Sequence, residues 1–277
     1  MNALTIQDCL FPSDNALEVP SLRLEMQPEA VGIPFILFGE TRRQYQMNGS
    51  GTLCFYTDDY RFNTVYEHPE KILAMRPGSV VEPNFSLYDE MPVAFGLQQI
   101  YKKRWVSRAM QMRGIPVFVD LCCSPKYYKL NLLGVPLGWR SFCTRGYGYQ
   151  VEHLAMELEI AQMVADGNEV LFVCYGGGAP CKAFCREHGL VYVTPAVEIR
   201  NANERYEKMR EAIDFFGEKL PGRWGVRWIL LYGASAYFRL ALRYVRRGAP
   251  TFASLLSLRY FHCVTLDFRR WSAYFRL

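Results

Sequence analysis

Five acidic residues stand where apolar runs end: Glu40 after Ile33–Phe38, Asp58 and Asp59 after Thr52–Tyr56, Glu82 after Ser79, and Asp120 after Ile115. Two more, Asp89 and Glu90, lie in the loop beyond Glu82. Carboxylates brought close together can divide acid and base roles, or hold Mg²⁺ or Mn²⁺ that aligns a phosphodiester for attack. Asp and Glu also serve turns and helix caps at such junctions, a purely structural use.

Other residues offer different chemistry. Gly176, Gly177 and Gly178 follow the apolar run ending at Val173-Cys174-Tyr175 and precede Pro180, a strand, turn and helix start that could present backbone N–H groups to an anion. The same stretch suits a tight turn, since it lacks the lysine of a phosphate-binding P-loop and a full Gly-x-Gly-x-x-Gly pattern. Cys181, Cys185 and His188 share a helical face, with Cys174 upstream, but a tetrahedral metal site would need a fourth ligand from elsewhere. No serine-nucleophile, His-Glu-x-x-His or kinase signature occurs, so the metal, if there is one, is left unassigned.

These groups need a scaffold. Ser79–Glu82, a helix to about Arg113 and Ile115–Asp120 form a strand, helix, strand unit, which requires two parallel strands. The central helix buries Ile100, Trp105 and Ala109, and Lys102, Lys103, Arg104 and Arg108 are expected on its solvated face. Further strands are expected at Trp139–Thr144, Glu169–Cys174 and Leu190–Val193. Val151, Leu154, Leu158, Ala161 and Ala165 mark one face of an intervening helix, with Glu152, Glu157 and Glu159 off it. Ser124–Gly138 reads as a long excursion, and a last body helix follows Asn203. The alternation predicts an α/β domain with a mainly parallel sheet. Because polar groups close nearly every strand, a barrel-like (β/α) arrangement, complete or not, fits better than the alternative, an open doubly wound sheet.

Half of the 277 residues are hydrophobic and 15% are aromatic, enough for a substantial core. No apolar run approaches the ~20 residues of a membrane helix, and the first residues lack a signal-peptide pattern, so a cytoplasmic location, the host's if phage-encoded, is expected. Nine cysteines, an odd number lying mostly in strand-like segments, read as reduced thiols. Residues 1–30 form an irregular lead-in with one short strand near Leu22–Leu24, 31–221 the body, and 222–277 an extension rich in arginine and aromatics. The extension holds ten arginines, no lysine and one acid, so its +9 leaves −4 for the rest of a chain whose net charge is +5. Arg239, Arg243, Arg246, Arg247, Arg269 and Arg270, interleaved with Tyr, Phe and Trp, suit phosphates and unpaired bases, or an anionic membrane surface as the weaker alternative. Ser235–Leu240 recurs as Ser272–Leu277, which leaves open whether the extension is native to the fold.

A set of ordered motifs supports one resemblance. Phe38-Gly39-Glu40, Asp59-Tyr60-Arg61-Phe62, Pro83-Asn84-Phe85-Ser86-Leu87-Tyr88-Asp89-Glu90-Met91-Pro92, Ile100-Tyr101-Lys102-Lys103-Arg104-Trp105, and Gln111 before Gly114-Ile115-Pro116 resemble the domain-of-unknown-function family 4417 over about residues 30–195. That family is found in phages, plasmids and other mobile elements of bacteria, so the resemblance implies a mobile-element setting and no reaction. It also implies Asp where this chain has Asn84, and a more polar or aromatic ending than Asp120-Leu121-Cys122-Cys123.

Three functions follow as expectations. The first is a mobile-element protein associated with nucleic acid in replication or maintenance, with carboxylate-dependent phosphodiester chemistry at the strand ends. The second is a carboxylate-dependent hydrolase of small molecules or glycosides, and the third a non-catalytic interaction protein. Acids paired individually with basic residues favour the third.

Overall fold

The computed structural model describes residues 10–40, 47–200, 203, 204, 206 and 207. The chain divides between residues 201 and 202, and all the elements described here lie in the first unit. The arginines from 239 to 270, and most of the helix expected after Asn203, lie outside the described residues.

Seven short strands, β1 (Phe35–Leu37), β2 (Thr52–Cys54), β3 (Ser79–Val81), β4 (Val117–Asp120), β5 (Ser141–Arg145), β6 (Leu171–Tyr175) and β7 (Val191–Val193), pair in chain order, every pair parallel. The order β1 to β7 never reverses, so the sheet winds in one direction, whereas a doubly wound sheet changes direction at a switch point. The sheet curls on itself: the Phe35 ring of β1 stacks on Tyr175 of β6 at 5.7 Å, and Tyr56, just past β2, stacks on the same Tyr175 at 5.6 Å. Among the described residues β1 and β7 remain its edges, giving an α/β barrel with one unsealed seam.

The period of two along each strand sorts the side chains. Phe35, Cys54, Tyr56, Val81, Phe118, Cys143, Val173 and Tyr175 form the interior cluster. Ile36, Leu53, Val80 and Val117 point the other way, against Trp105, Val106, Ala109 and Met110 of α2 (Val93–Met112). Val119, Phe142, Phe172 and Cys174 pack on Leu154, Leu158 and Ala161 of α4 (Val151–Ala165) and on Cys181 and Cys185 of α5 (Gly178–Glu187). A short α1 (Glu70–Leu73) precedes β3. The expected excursion after β4 folds into a 3₁₀ turn, Pro125–Tyr127, and α3 (Tyr128–Asn131). It lies so close to α2 that a Cβ on Gly96 would stand 2.1 Å from the Tyr127 ring.

Three expectations, two about burial and one about the lead-in, need correction. Lys103 and Arg104 are 1% and 0% exposed, not on a solvated face, because the strand-end acids in front of α2 draw them inward. Glu157 is 5% exposed and lies among the buried residues of α4, although its neighbours Glu152 and Glu159 face solvent. Leu24–Met26 forms a 3₁₀ turn, not a strand, and the lead-in is held in place: the Gln111 side chain accepts from Arg23 N at 2.8 Å and donates to the Arg23 and Met26 carbonyls at 3.1 Å.

Candidate functional site

At the carboxyl end of the barrel, the turn from β4 into the next crossover places Asp120 at the centre of a buried polar network. Lys103 Nζ stands 2.9 Å from Asp120 Oδ2 and donates to the Asp120 carbonyl at 3.0 Å and to Asn131 Oδ1 at 2.8 Å. Its three protons therefore each have an acceptor. Asp120 Oδ1 accepts from Tyr56 OH at 3.0 Å and from Cys122 N at 3.1 Å. With its amide nitrogen turned inward, Asn84 donates to Asp120 Oδ2 at 3.3 Å and to the Cys122 carbonyl at 3.2 Å. Asn84 thus acts as a donor at the position where the resemblance implies an acid.

Glu82 forms the adjoining part of this network. One carboxylate oxygen pairs with Arg104 NH1, and the other accepts from Asp120 N at 3.2 Å. Arg104 also donates to the Leu133 carbonyl at 3.0 Å and the Asn131 carbonyl at 2.6 Å, so Asn131 of α3 is bound to both Lys103 and Arg104, the two buried basic residues of α2. Burial pushes the Asp120 carboxyl above its ordinary range, while the Lys103 ammonium opposes the rise. Such a pair gains little over an apolar replacement of equal shape, but losing one partner is costly.

Glu157 approaches this network from α4. Burial raises its carboxyl well above the usual range, and the Asp120 charge adds to the rise. The nearby Thr144 hydroxyl partly offsets that effect, although it makes no hydrogen bond of ordinary geometry. Burial also pushes Cys122 up to about 12, with Asp120 and Glu157 contributing, which keeps this thiol protonated and unreactive at neutral pH.

The other strand-end acids have separate surroundings. Asp59 accepts from Ser86 N at 3.0 Å and Ser86 Oγ at 2.9 Å, pinning the loop after β3. Asp58 is exposed, 3.9 Å from Arg61. Glu40 lines a cleft of about 610 Å³ together with Tyr56, Arg145, Tyr147, Tyr149 and Tyr175. Gly176 and Gly177 form part of that wall, and residues 195–198 and Arg200 close the far side. At the glycine turn, Gly178 N donates to Glu198 Oε1 at 3.0 Å and to Tyr192 OH at 3.1 Å, and Tyr192 OH donates to Glu198 Oε2 at 2.7 Å. A carboxylate of the chain itself therefore sits on this amide.

Of the five acids singled out in the sequence, the fold brings Glu82 and Asp120 into one network and distributes Glu40, Asp58 and Asp59 around the mouth. Glu157, Tyr147 and Asn131 escape sequence reasoning. Glu157 could have been found only by noting that an acid at its position shares a helical face with Leu154, Leu158 and Ala161. Cys174, Cys181 and Cys185 are buried, whereas His188 is exposed and its ring stacks on Phe184 at 4.0 Å. Among the described residues, no group of three or more His, Cys, Asp or Glu is arranged to hold a metal ion. No helix there is long and apolar enough to cross a membrane.

A family profile described as a domain of unknown function, DUF4417, matches residues 11–187, which include every strand except β7 and all of α1 to α5. The chain belongs to this family. Curated relatives include the Gene 1 protein of Mycobacterium phage D29, 33% identical over 135 residues that make up 46% of this chain and 48% of the relative. The Gene 1 protein of Mycobacterium phage L5 is 33% identical over 132 residues, 46% of this chain and 56% of the relative. The chain thus spans about half the length of these phage-encoded relatives. No solved structure matches it.

Proposed function

We propose that this DUF4417 protein associates with nucleic acid and that the mouth of its barrel takes an unpaired nucleotide. The observation that carries this reading is the cleft, whose volume of about 610 Å³ falls in the range of small-molecule sites. Four tyrosines line it, and the Arg145 guanidinium lies over the Tyr147 ring with 5.4 Å between charge and centroid. Aromatic faces accept a base of any sequence, and arginine supplies charge to the adjoining phosphate. The arginine-rich extension, with Arg239, Arg243, Arg246, Arg247, Arg269 and Arg270, adds a sequence-independent attraction to the backbone.

On this reading Glu82 and Asp120 serve the scaffold. Each has its own basic partner, and that pairing favours binding over carboxylate-dependent hydrolysis. The test is binding of fluorescent single-stranded and duplex oligonucleotides to the full chain at two salt concentrations. Tyr147→Ala and Arg145→Ala are expected to weaken single-strand binding by about tenfold or more, as stacking contacts do. Unchanged affinity in both variants would remove the cleft from the reading, and Mg²⁺-dependent cleavage lost in Asp120→Asn would favour the hydrolytic alternative.

A further inference from the structure

Pro195, Ala196, Val197 and Glu198 close the far side of the cleft, and of these only Glu198 brings a polar side chain to it. Its place is fixed by both backbone and side chain. Glu198 N and Ile199 N bond to the Pro195 carbonyl at 3.0 and 3.1 Å, which turns the chain at this point. Glu198 Oε1 accepts from Gly178 N at 3.0 Å, and Oε2 accepts from Tyr192 OH at 2.7 Å. The wall beside this carboxylate is glycine: a Cβ on Gly176, itself part of the lining, would stand 3.4 Å from Glu198 Oε1. Gly176 has a φ of 74°, which disfavours any side chain there, so nothing larger than a hydrogen separates the cleft from the oxygen on that side.

A carboxylate accepts at about four positions, two on each oxygen, and donates at none. Glu198 uses one position on each oxygen, and one on each remains. Two acceptors held in one planar group match two adjacent, parallel N–H groups, the geometry in which carboxylates take guanidinium groups. Among the bases only guanine offers that along its pairing edge, through N1–H and the N2 amino group. Adenine and cytosine set one amino group beside a ring nitrogen that accepts, and thymine and uracil set one N–H between two carbonyls. Each of these would bring a lone pair against the carboxylate. A peptide guanidinium would also match by shape, but Arg145 and Arg200 line the same cleft and oppose a further cation, while its four tyrosines suit a flat base.

We propose, building on the nucleotide reading of the cleft, that Glu198 reads the base bound there and selects guanine, its two oxygens accepting from N1–H and the N2 amino group. A base taken out of a stack is read in this way, by hydrogen bonds to its pairing edge. Gly178 N and Tyr192 OH are the positioning groups, because together they hold the carboxylate in one orientation before the base arrives.

The experiment is fluorescence anisotropy with the full chain and short labelled oligothymidylates that carry one central guanine, adenine, cytosine or hypoxanthine, the last being guanine without its N2 amino group. Wild type is expected to bind the guanine oligomer about tenfold or more above the adenine, cytosine and all-thymine oligomers, the discrimination of one bidentate contact. Hypoxanthine falls between. The variant is Glu198→Gln, whose amide oxygen can still accept from Gly178 N while its nitrogen donates to Tyr192 OH. In it the preference for guanine over adenine falls to near unity and binding of the all-thymine oligomer is unchanged. A merely structural Glu198 would instead lower affinity for every oligomer alike and leave the ratio where it was. Stacking alone would favour both purines, so a guanine preference that survives in the variant overturns the assignment. Should the variant fail to fold, hypoxanthine tests the same contact from the ligand's side, and equal binding of hypoxanthine and guanine by wild type overturns it. Equal binding of guanine and adenine by wild type overturns guanine selection and leaves the cleft reading standing. If no oligomer binds, both fall. N-acetyl-arginine amide that then raises the melting temperature of wild type but not of Glu198→Gln assigns the carboxylate to a peptide guanidinium instead.

Discussion

Lys103→Met is the substitution that most directly examines the core of the site. Methionine matches the length and much of the packing of lysine, but it removes the ammonium 2.9 Å from Asp120 Oδ2 while both side chains are 1% exposed or less. Asp120 keeps its bonds from Tyr56 and Cys122 but loses its counter-charge. An uncompensated buried charge typically costs about 3–5 kcal/mol. For a domain of this size that amounts to a melting-temperature loss of roughly 6–20 °C. The assay is urea unfolding of the full chain, with Asp120→Asn and the double variant completing a cycle. The double variant contains neither charge, so it should be at least about 2 kcal/mol more stable than the sum of the single losses implies. The effect also has a pH signature. Burial already raises the Asp120 carboxyl above its ordinary 3.8, and Lys103 is the main influence holding it down. Without Lys103 the folded form binds its proton more tightly still, so the variant is least impaired at low pH and loses stability relative to wild type as pH rises. A loss below about 1 kcal/mol, or additive single effects, would refute the argument that this pair is a coupled, desolvated unit.

Glu157→Gln should have the opposite character. The folded-state value of Glu157 is raised above its ordinary 4.5, so its stabilising contribution is complete below that pH and declines as pH rises toward the folded value. Glutamine does not titrate, and the stability difference between the variant and wild type should therefore grow in the variant's favour by up to about 1.4 kcal/mol per pH unit. Parallel pH profiles from pH 5 to 8 would sink this reading. Gly96→Ala should destabilise by about 1–3 kcal/mol through overpacking, because the new methyl would stand 2.1 Å from the Tyr127 ring. Tyr127→Leu in the same chain should recover part of that loss, and equal stability of Gly96→Ala and wild type would show that α2 and the turn before α3 do not meet this closely.

The acids at the mouth and the helix beneath it were legible in the sequence to different degrees. Apolar runs such as Phe35–Leu37 and Leu171–Tyr175 identify strands because a strand buried on both faces has no polar alternation to hide it. Acids just beyond β3 and at the end of β4 identify the carboxyl end of the sheet. Lys103 and Arg104 of α2 mislead, because a long basic side chain on a helix ordinarily faces water. Their burial depends on Glu82 and Asp120, which stand 22 and 17 positions from Arg104 and Lys103, and on Asn131 from α3. Glu157 misleads for a related reason: an acid is expected off the apolar face of a helix, yet Glu157 shares the buried face of α4 with Leu154, Leu158 and Ala161.

What the sequence by itself determined was therefore the local layer: the parallel strand–helix alternation, the barrel-like winding, the acids at the strand ends and the glycine turn before α5. These follow from hydrophobic period and turn chemistry, which act over a few residues. The tertiary structure alone decided which charges meet. It placed Lys103 on Asp120 and Arg104 on Glu82, drew Glu157 out of solvent, and brought Tyr56, Tyr147, Tyr149 and Tyr175 to one cleft. Electrostatic and hydrogen-bond partners are chosen by proximity in space, and the curl of the barrel creates that proximity between segments that are distant along the chain.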